Sequence, residues 1–286
     1  MFLCLCDINN IQLMVKKIFY NSSLPRAGST IIQNILAQNP EIYPTPTSGI
    51  FEMFNNVRAV YSNSPEFKAQ DEELMEKGYR GLLKSGIYGF FNEITDRPYV
   101  VDKCRGWSME YKFIDFFDPN PKIICMVRDL RAIYASMEKK YRKNPQLELN
   151  VANWAELKGT TTDKRIVSWS NTVPIAPALD RLYQVLLEGI HEKILFVRFE
   201  DLCRQPNQQM SRIYDYLELP YYQHDFDNIE QFTHEDDKVY GVFGDHIIKN
   251  KLEVVEEDFF DVLGETGCEI ITNNYRWFYD AFEYTI

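Results

Sequence analysis

No stretch of this chain approaches 18 consecutive apolar residues, which excludes a transmembrane helix of the usual kind from the sequence. Met1–Leu13 is apolar in places but lacks a basic opening and a clean cleavage site, so it does not read as a signal peptide. The six cysteines (Cys4, Cys6, Cys104, Cys125, Cys203, Cys268) form no CxxC pair and no metal-like grouping with histidine, and Cys4-Leu5-Cys6 is too tight for a usual zinc knuckle. Reduced thiols in a cytoplasmic setting are the expectation. Positive charge is also short: 31 Lys and Arg stand against 42 Asp and Glu, a formal charge of −11. That argues against a broad nucleic-acid footprint, and no membrane partner is expected. Acid is concentrated late, in His224–Asp237 and Glu253–Glu265, which read as solvated faces, so an anionic ligand would need a local basic pocket. There is no internal repeat and no low-complexity tract.

What is present is core. Hydrophobic residues make up 45% of 286 residues and aromatics 14%, enough for one large α/β domain and far too much for a disordered chain. Met14-Val15-Lys16-Lys17 stands directly before the first strand. Residues 1–13 are therefore expected to be a disordered or non-native extension, and 14–286 a single domain. Buried-type strands around Phe19–Asn21, Pro98–Lys103, Lys122–Val127 and Lys193–Phe199 alternate with helical patterns at 31–36, 51–61, 70–85, 107–117, 130–141 and 206–217. A long helical region covers 162–188, with Pro174 and Pro177 marking a break. Such alternation predicts a parallel sheet with helices on both faces, and a ligand outside the carboxyl ends of the strands. Those ends carry Arg26, Asp102-Lys103, Arg128-Asp129 and Glu200-Asp201, which should meet at one site.

The stretch Phe19 to Leu36 has the form strand, small-residue loop, helix. Its loop, Leu24-Pro25-Arg26-Ala27-Gly28-Ser29-Thr30, suits a phosphate: first-turn N–H groups have no helical partner, Gly28 permits close approach, Ser29 and Thr30 offer hydroxyls, and Arg26 adds charge. An ordinary capped helix accounts for the same residues equally well. The Gly-Lys pair of a Walker A loop is missing, so a nucleoside triphosphate with magnesium is not the first expectation. A second motif, Val127 to Ser136, sets Arg128 at a strand end and Ser136 in the following helix. Either both reach one anion, or Arg128 pairs with Asp129 or another acid. Three prolines between Asn39 and Gly49 forbid helix and predict a rigid, extended wall beside the loop. Trp107, Tyr111 and Trp169 read as core rather than as stacking platforms.

Together these segments resemble sulfotransferases that use 3′-phosphoadenylyl sulfate (PAPS). The loop at 24–30 resembles their 5′-phosphosulfate site, Arg128 to Ser136 their 3′-phosphate site, and Val197-Arg198-Phe199-Glu200-Asp201-Leu202 their later strand-end signature. The Pro-Arg at the loop is closer to the tyrosylprotein and Golgi-type branches than to cytosolic small-molecule enzymes. The resemblance implies a three-layer, P-loop-kinase-like α/β fold with a central parallel sheet, PAPS as donor, PAP as product, and no metal. It implies that Arg26, Ala27, Gly28, Ser29 and Thr30 hold the 5′-phosphate, that Arg128 and Ser136 hold the 3′-phosphate, and that Lys103 neutralises charge on the transferring group. Sulfuryl transfer gathers negative charge on the leaving oxygen, so Arg26 and Lys103 are expected to carry catalysis. Cytosolic members carry a histidine two residues after that lysine; here the position is Arg105, which cannot accept a proton. Glu52 is the expected base, with a cap or solvated role for it as the rival. Lys249 and Lys251, in the segment Gly241–Lys251, stand where the family closes a loop over the nucleotide, and His246 could line the acceptor side. The acceptor, whether small molecule, glycan or peptide, and the oligomeric state are not legible. A nucleotide kinase of the same fold and a non-catalytic PAP-binding relative are the alternatives.

Overall fold

The computed structural model describes residues 15–143, 157–239, 246–253 and 258–286. The expected extension 1–13, residues 144–156 and Gly241–Asp245 of the late segment lie outside the described residues.

Buried apolar runs too short for helices make five strands: β1 Lys17–Asn21, β2 Ile42–Thr47, β3 Tyr99–Lys103, β4 Ile123–Val127 and β5 Ile194–Arg198. They form one sheet in the order β2-β3-β1-β4-β5, and every pairing is parallel. Helices flank it, so the expected α/β architecture with a central parallel sheet is present. The register decides where the site falls. β1 pairs with β3 from Lys17↔Tyr99 to Asn21↔Lys103, which sets Lys103 beside the last strand residue before the phosphate loop. On its other side β1 pairs with β4, whose end delivers Arg128.

The proline-rich wall is strand β2 at the sheet edge, where a residue without an N–H is tolerated; its register with β3 shifts between Pro44 and Thr47. Helix α1, Ser29–Leu36, is tied to the sheet by buried Gln33, whose amide donates to the carbonyls of Thr45 and Val101. Trp107, Tyr111 and Trp169 are core, as expected, and Trp107 packs on Tyr20 with ring centroids 4.8 Å apart.

Two helical expectations change, and the break expected at Pro174 within 162–188 is present. The 107–117 segment is helical only from Tyr111 to Phe117 (α5): Trp107 Nε1 is held by Asp102 at 2.7 Å, and Gly106 lies so close to the Phe51 ring that a Cβ would stand 2.3 Å from it. The helix begun near residue 70 runs as Glu72–Asn92 (α4), after Ile50–Asn63 (α2) and a single turn, Pro65–Lys68 (α3). The 162–188 region is two helices, Thr162–Trp169 (α7) and Ile175–Leu187 (α8), parted before Pro174. Helix α6, Leu130–Lys143, follows β4; α9, Phe199–Arg204, and α10, Pro206–Leu217, follow β5. Two helices the sequence did not suggest, α11 Phe259–Asn274 and α12 Arg276–Phe282, close the chain, and α11 packs on α6 and α7.

Candidate active site

The loop between β1 and α1 has the backbone of an anion cradle. Arg26 and Gly28 both take positive φ (60° and 91°), and Gly28 caps α1, turning the N–H groups of Ser29, Thr30 and Ile31 away from helical partners. Gly28 is required twice over, because a Cβ there would also stand 2.5 Å from Cδ2 of Phe199. Phe199 is the aromatic residue of the third motif, and its ring lies 5.0 Å from the Arg128 guanidinium. The three motifs therefore touch one another.

Arg128 reaches back to the phosphate loop. Asp129, its rival partner, is taken by Arg131, which donates to both carboxylate oxygens, and Tyr279 Oη adds a bond at 3.2 Å. Arg128 donates instead to the Arg26 carbonyl at 3.0 Å, and Arg26 Nε donates to Ser136 Oγ at 3.1 Å. A cavity of about 350 Å³ opens at this junction. Its wall includes Arg26, Gly28, Ser29 and Thr30 on one side and Arg128 and Ser136 on another. Ala27 is fully buried beneath, so only its backbone serves the loop. Lys249 and Lys251 also reach the wall, while exposed enough to pair with Glu253 at 3.4 Å and Asp227 at 2.7 Å. Arg105 faces the same cavity with its side chain exposed to solvent.

Lys103 is buried at the end of β3, and its Nζ is 2.7 Å from Glu235 Oε1. Burial pulls the lysine's pKa down, and the ion pair only partly offsets this. Glu235 also accepts from the N–H and hydroxyl of Thr47, at 2.9 and 3.1 Å. Burial would raise the Glu235 carboxyl, but Lys103, the Thr47 N–H and His246 outweigh it and hold it below the usual range. The reading of 224–237 as a solvated face is thus corrected at Glu235, whose side chain is 3% exposed, while Asp225, Asp227, Glu230 and Asp236 are exposed. Behind Lys103, burial lifts the Asp102 carboxyl to about 6 against bonds from Trp107, Ser48 and Thr45.

Glu52 is not in this cluster. It lies exposed on the first turn of α2, apart from the lining of the cavity, near enough to Cys104 for its charge to help raise that thiol. His246 stands at the wall shared by the first cavity and a second, of about 520 Å³, that Glu235 also lines. Its Nδ1 is 2.6 Å from Asp237 Oδ1, and its Nε2 faces Glu235 Oε2 at 3.5 Å. Among the described residues no group of three or more His, Cys, Asp or Glu could hold a metal ion.

The chain is 24% identical to protein-tyrosine sulfotransferase A of Caenorhabditis elegans over 205 residues, 69% of this chain and 49% of the relative. It is 22% identical to protein-tyrosine sulfotransferase 2 of Gallus gallus over 224 residues, 75% and 55% respectively. The chain thus spans about half the length of the curated relatives it matches. Among solved structures, a sulfotransferase domain from the curacin biosynthetic pathway aligns over 92% of this chain and 98% of its own, at 18% identity and TM-score 0.45. A Mycobacterium avium sulfotransferase aligns over 95% and 78%, at 13% identity and TM-score 0.48.

The expected cytoplasmic setting does not stand. It rested on unpaired cysteines and on the lack of a leader or span, whereas the curated relatives are protein-tyrosine sulfotransferases, the Golgi-type branch the loop resembles. That no described helix is long and apolar enough to cross a membrane does not restore it. A family model described as sulfotransferase family matches residues 22–223, which hold the loop, Lys103, Arg128, Ser136 and the 197–202 signature, and the chain belongs to that family.

Proposed function

We propose that this protein transfers a sulfuryl group from PAPS to the hydroxyl of a tyrosyl side chain in a peptide. The observation that carries the donor is the single cavity in which two anion cradles meet through the Arg26–Ser136 hydrogen bond. Two phosphates on one nucleotide need two such sites at fixed spacing; a triphosphate would need only the first, with the lysine this loop lacks. The acceptor class rests on the relatives, which are protein-tyrosine sulfotransferases.

The residues fit the donor. The N–H groups after Gly28, with the Ser29 and Thr30 hydroxyls, bind the 5′-phosphate at the positive end of α1. Arg128 and Ser136 bind the 3′-phosphate, and Arg26, bonded to Ser136, stands between the two. Lys249 and Lys251 close the outer wall by charge. When bound, PAPS supplies an activated sulfuryl group on a phosphate leaving group. Arg26 and Lys103 stabilise the charge that builds on the leaving oxygen, the form of catalysis that preset cations give most strongly. No metal is needed for any of these roles.

Thermal shift with PAP against ATP, followed by transfer from labelled PAPS to a tyrosyl peptide, tests the reading. A larger shift with PAP and a labelled peptide are expected. A larger shift with ATP overturns the donor, and PAP binding without transfer to any acceptor reduces the chain to a binding protein.

A further inference from the structure

The partner of Lys103 is a carboxylate with one oxygen committed and one not. Glu235 Oε1 takes Lys103 Nζ and both donors of Thr47. Oε2 is buried yet accepts no hydrogen bond among the described residues. A buried carboxylate oxygen without a donor is costly to keep, so such atoms mark places where a proton or ligand belongs. Glu235 lines the second cavity, and His246, in the wall between the two cavities, faces Oε2 with Nε2 while Asp237 fixes Nδ1. One oxygen is thus committed to Lys103, and the other is kept dry in a residue that lines the second cavity.

We infer that Glu235 is the general base that takes the acceptor's proton, and that the cavity it lines admits the acceptor. The inference rests on the proposed sulfuryl transfer. In the step, the acceptor oxygen bonds to sulfur and the bond from sulfur to the 5′-phosphate oxygen breaks. The electron pair stays on that oxygen, next to Arg26 and Lys103, and the acceptor's proton goes to Glu235 Oε2. Lys103 couples the two halves. In the resting protein its charge is spent on Oε1; as it turns to the leaving oxygen, Glu235 loses its strongest partner and becomes more basic when the proton arrives. The groups facing Glu235 are Lys103 from β3, Thr47 from the end of β2, and His246 with Asp237 behind it. Glu52, exposed on α2, has no such arrangement.

The test uses the whole chain with Glu235→Gln, Glu235→Asp and Glu52→Gln. It reads single-turnover transfer from PAPS to a tyrosyl peptide, slow hydrolysis of PAPS to water, and PAP binding by calorimetry. Glu235→Gln should fold, lower transfer and hydrolysis about 100-fold, and remove the acid limb of the pH–rate profile. It should bind PAP as tightly as the wild type or tighter, because Lys103 no longer faces a carboxylate. Glu235→Asp should recover part of the rate. Retention of the rate within about threefold, a loss of PAP binding that parallels the loss of rate, or the full loss at Glu52→Gln alone overturns the assignment. Wild-type protein that passes sulfuryl to neither peptide nor water overturns the proposed function instead, a result read before any variant is compared.

Discussion

Arg26 Nε donates to Ser136 Oγ at 3.1 Å, so one hydrogen bond joins a loop before the first helix to a helix 110 residues later. Arg128 reinforces the joint by donating to the Arg26 carbonyl. Replacing Arg128 with Ala should weaken PAP binding about 10- to 100-fold, the worth of a charge-assisted phosphate contact, and weaken 5′-AMP binding far less. Ser136→Ala should cost about tenfold for PAP. Calorimetry with the two nucleotides checks this; equal losses for both would remove the 3′-phosphate from these residues.

Gly28→Ala should fail at both requirements of its position. A non-glycine residue at φ 91° costs about 1–2 kcal/mol, and the new Cβ overlaps the Phe199 ring. A lower melting temperature and a loss of PAP affinity are expected together. Phe199→Leu in the same chain should return part of the stability and none of the backbone strain, which a melt of the double variant reads directly.

The loop, its helix and four strands were legible because each is a short buried run ended by small or charged residues. The fate of Asp129 was not, because it depends on Arg131, which reaches back along the start of α6 to take that carboxylate. Glu235 was hidden for a different reason. In an acidic stretch a carboxylate reads as solvated, and what holds this one is Lys103, 132 residues earlier, together with Thr47, which pairs with Lys103 across β2 and β3. The local sequence around Trp107 gave the right spacing for a helix, but the Asp102 bond and the Phe51 ring against Gly106 hold that segment in turns.

Glu138 on α6 is fully buried and accepts from Arg165 of α7 and from Arg142. Burial raises its carboxyl, but the two arginines outweigh it and hold the pKa low. A carboxyl lowered by folding stabilises the protein in full above its unfolded pKa of about 4.3, and this stability is lost as pH falls through the lower folded value. Urea unfolding as a function of pH should therefore show a falling acid limb that Glu138→Gln flattens. The substitution should also cost about 3–5 kcal/mol at neutral pH, since it leaves Arg165 buried without its counter-charge.

Tyr284, near the chain's last residue, donates to Glu200 Oε2 at 2.8 Å, and Glu200 Oε1 accepts from the Asp129 N–H. Tyr284→Phe should cost about 1–3 kcal/mol in a denaturant melt by leaving a half-buried carboxylate oxygen without its donor. PAP affinity should fall with it, because Glu200 holds the turn from which Arg128 projects. Unchanged affinity in a destabilised variant would separate the brace from the site.

The place of β1 at the centre of an all-parallel sheet bears on how the protein is made. The strands that flank β1, which ends at Asn21, begin only at Tyr99 and Ile123, so no local hairpin can hold it while the chain is short. Loop closure must come first, which makes assembly slow and leaves the strand edges open until β4 docks. Both halves of the nucleotide cradle come into being at that same moment. Nucleotide capture would therefore report completion of the fold as a whole, and a nascent or truncated chain ending before residue 136 would hold the loop but none of its affinity for PAP.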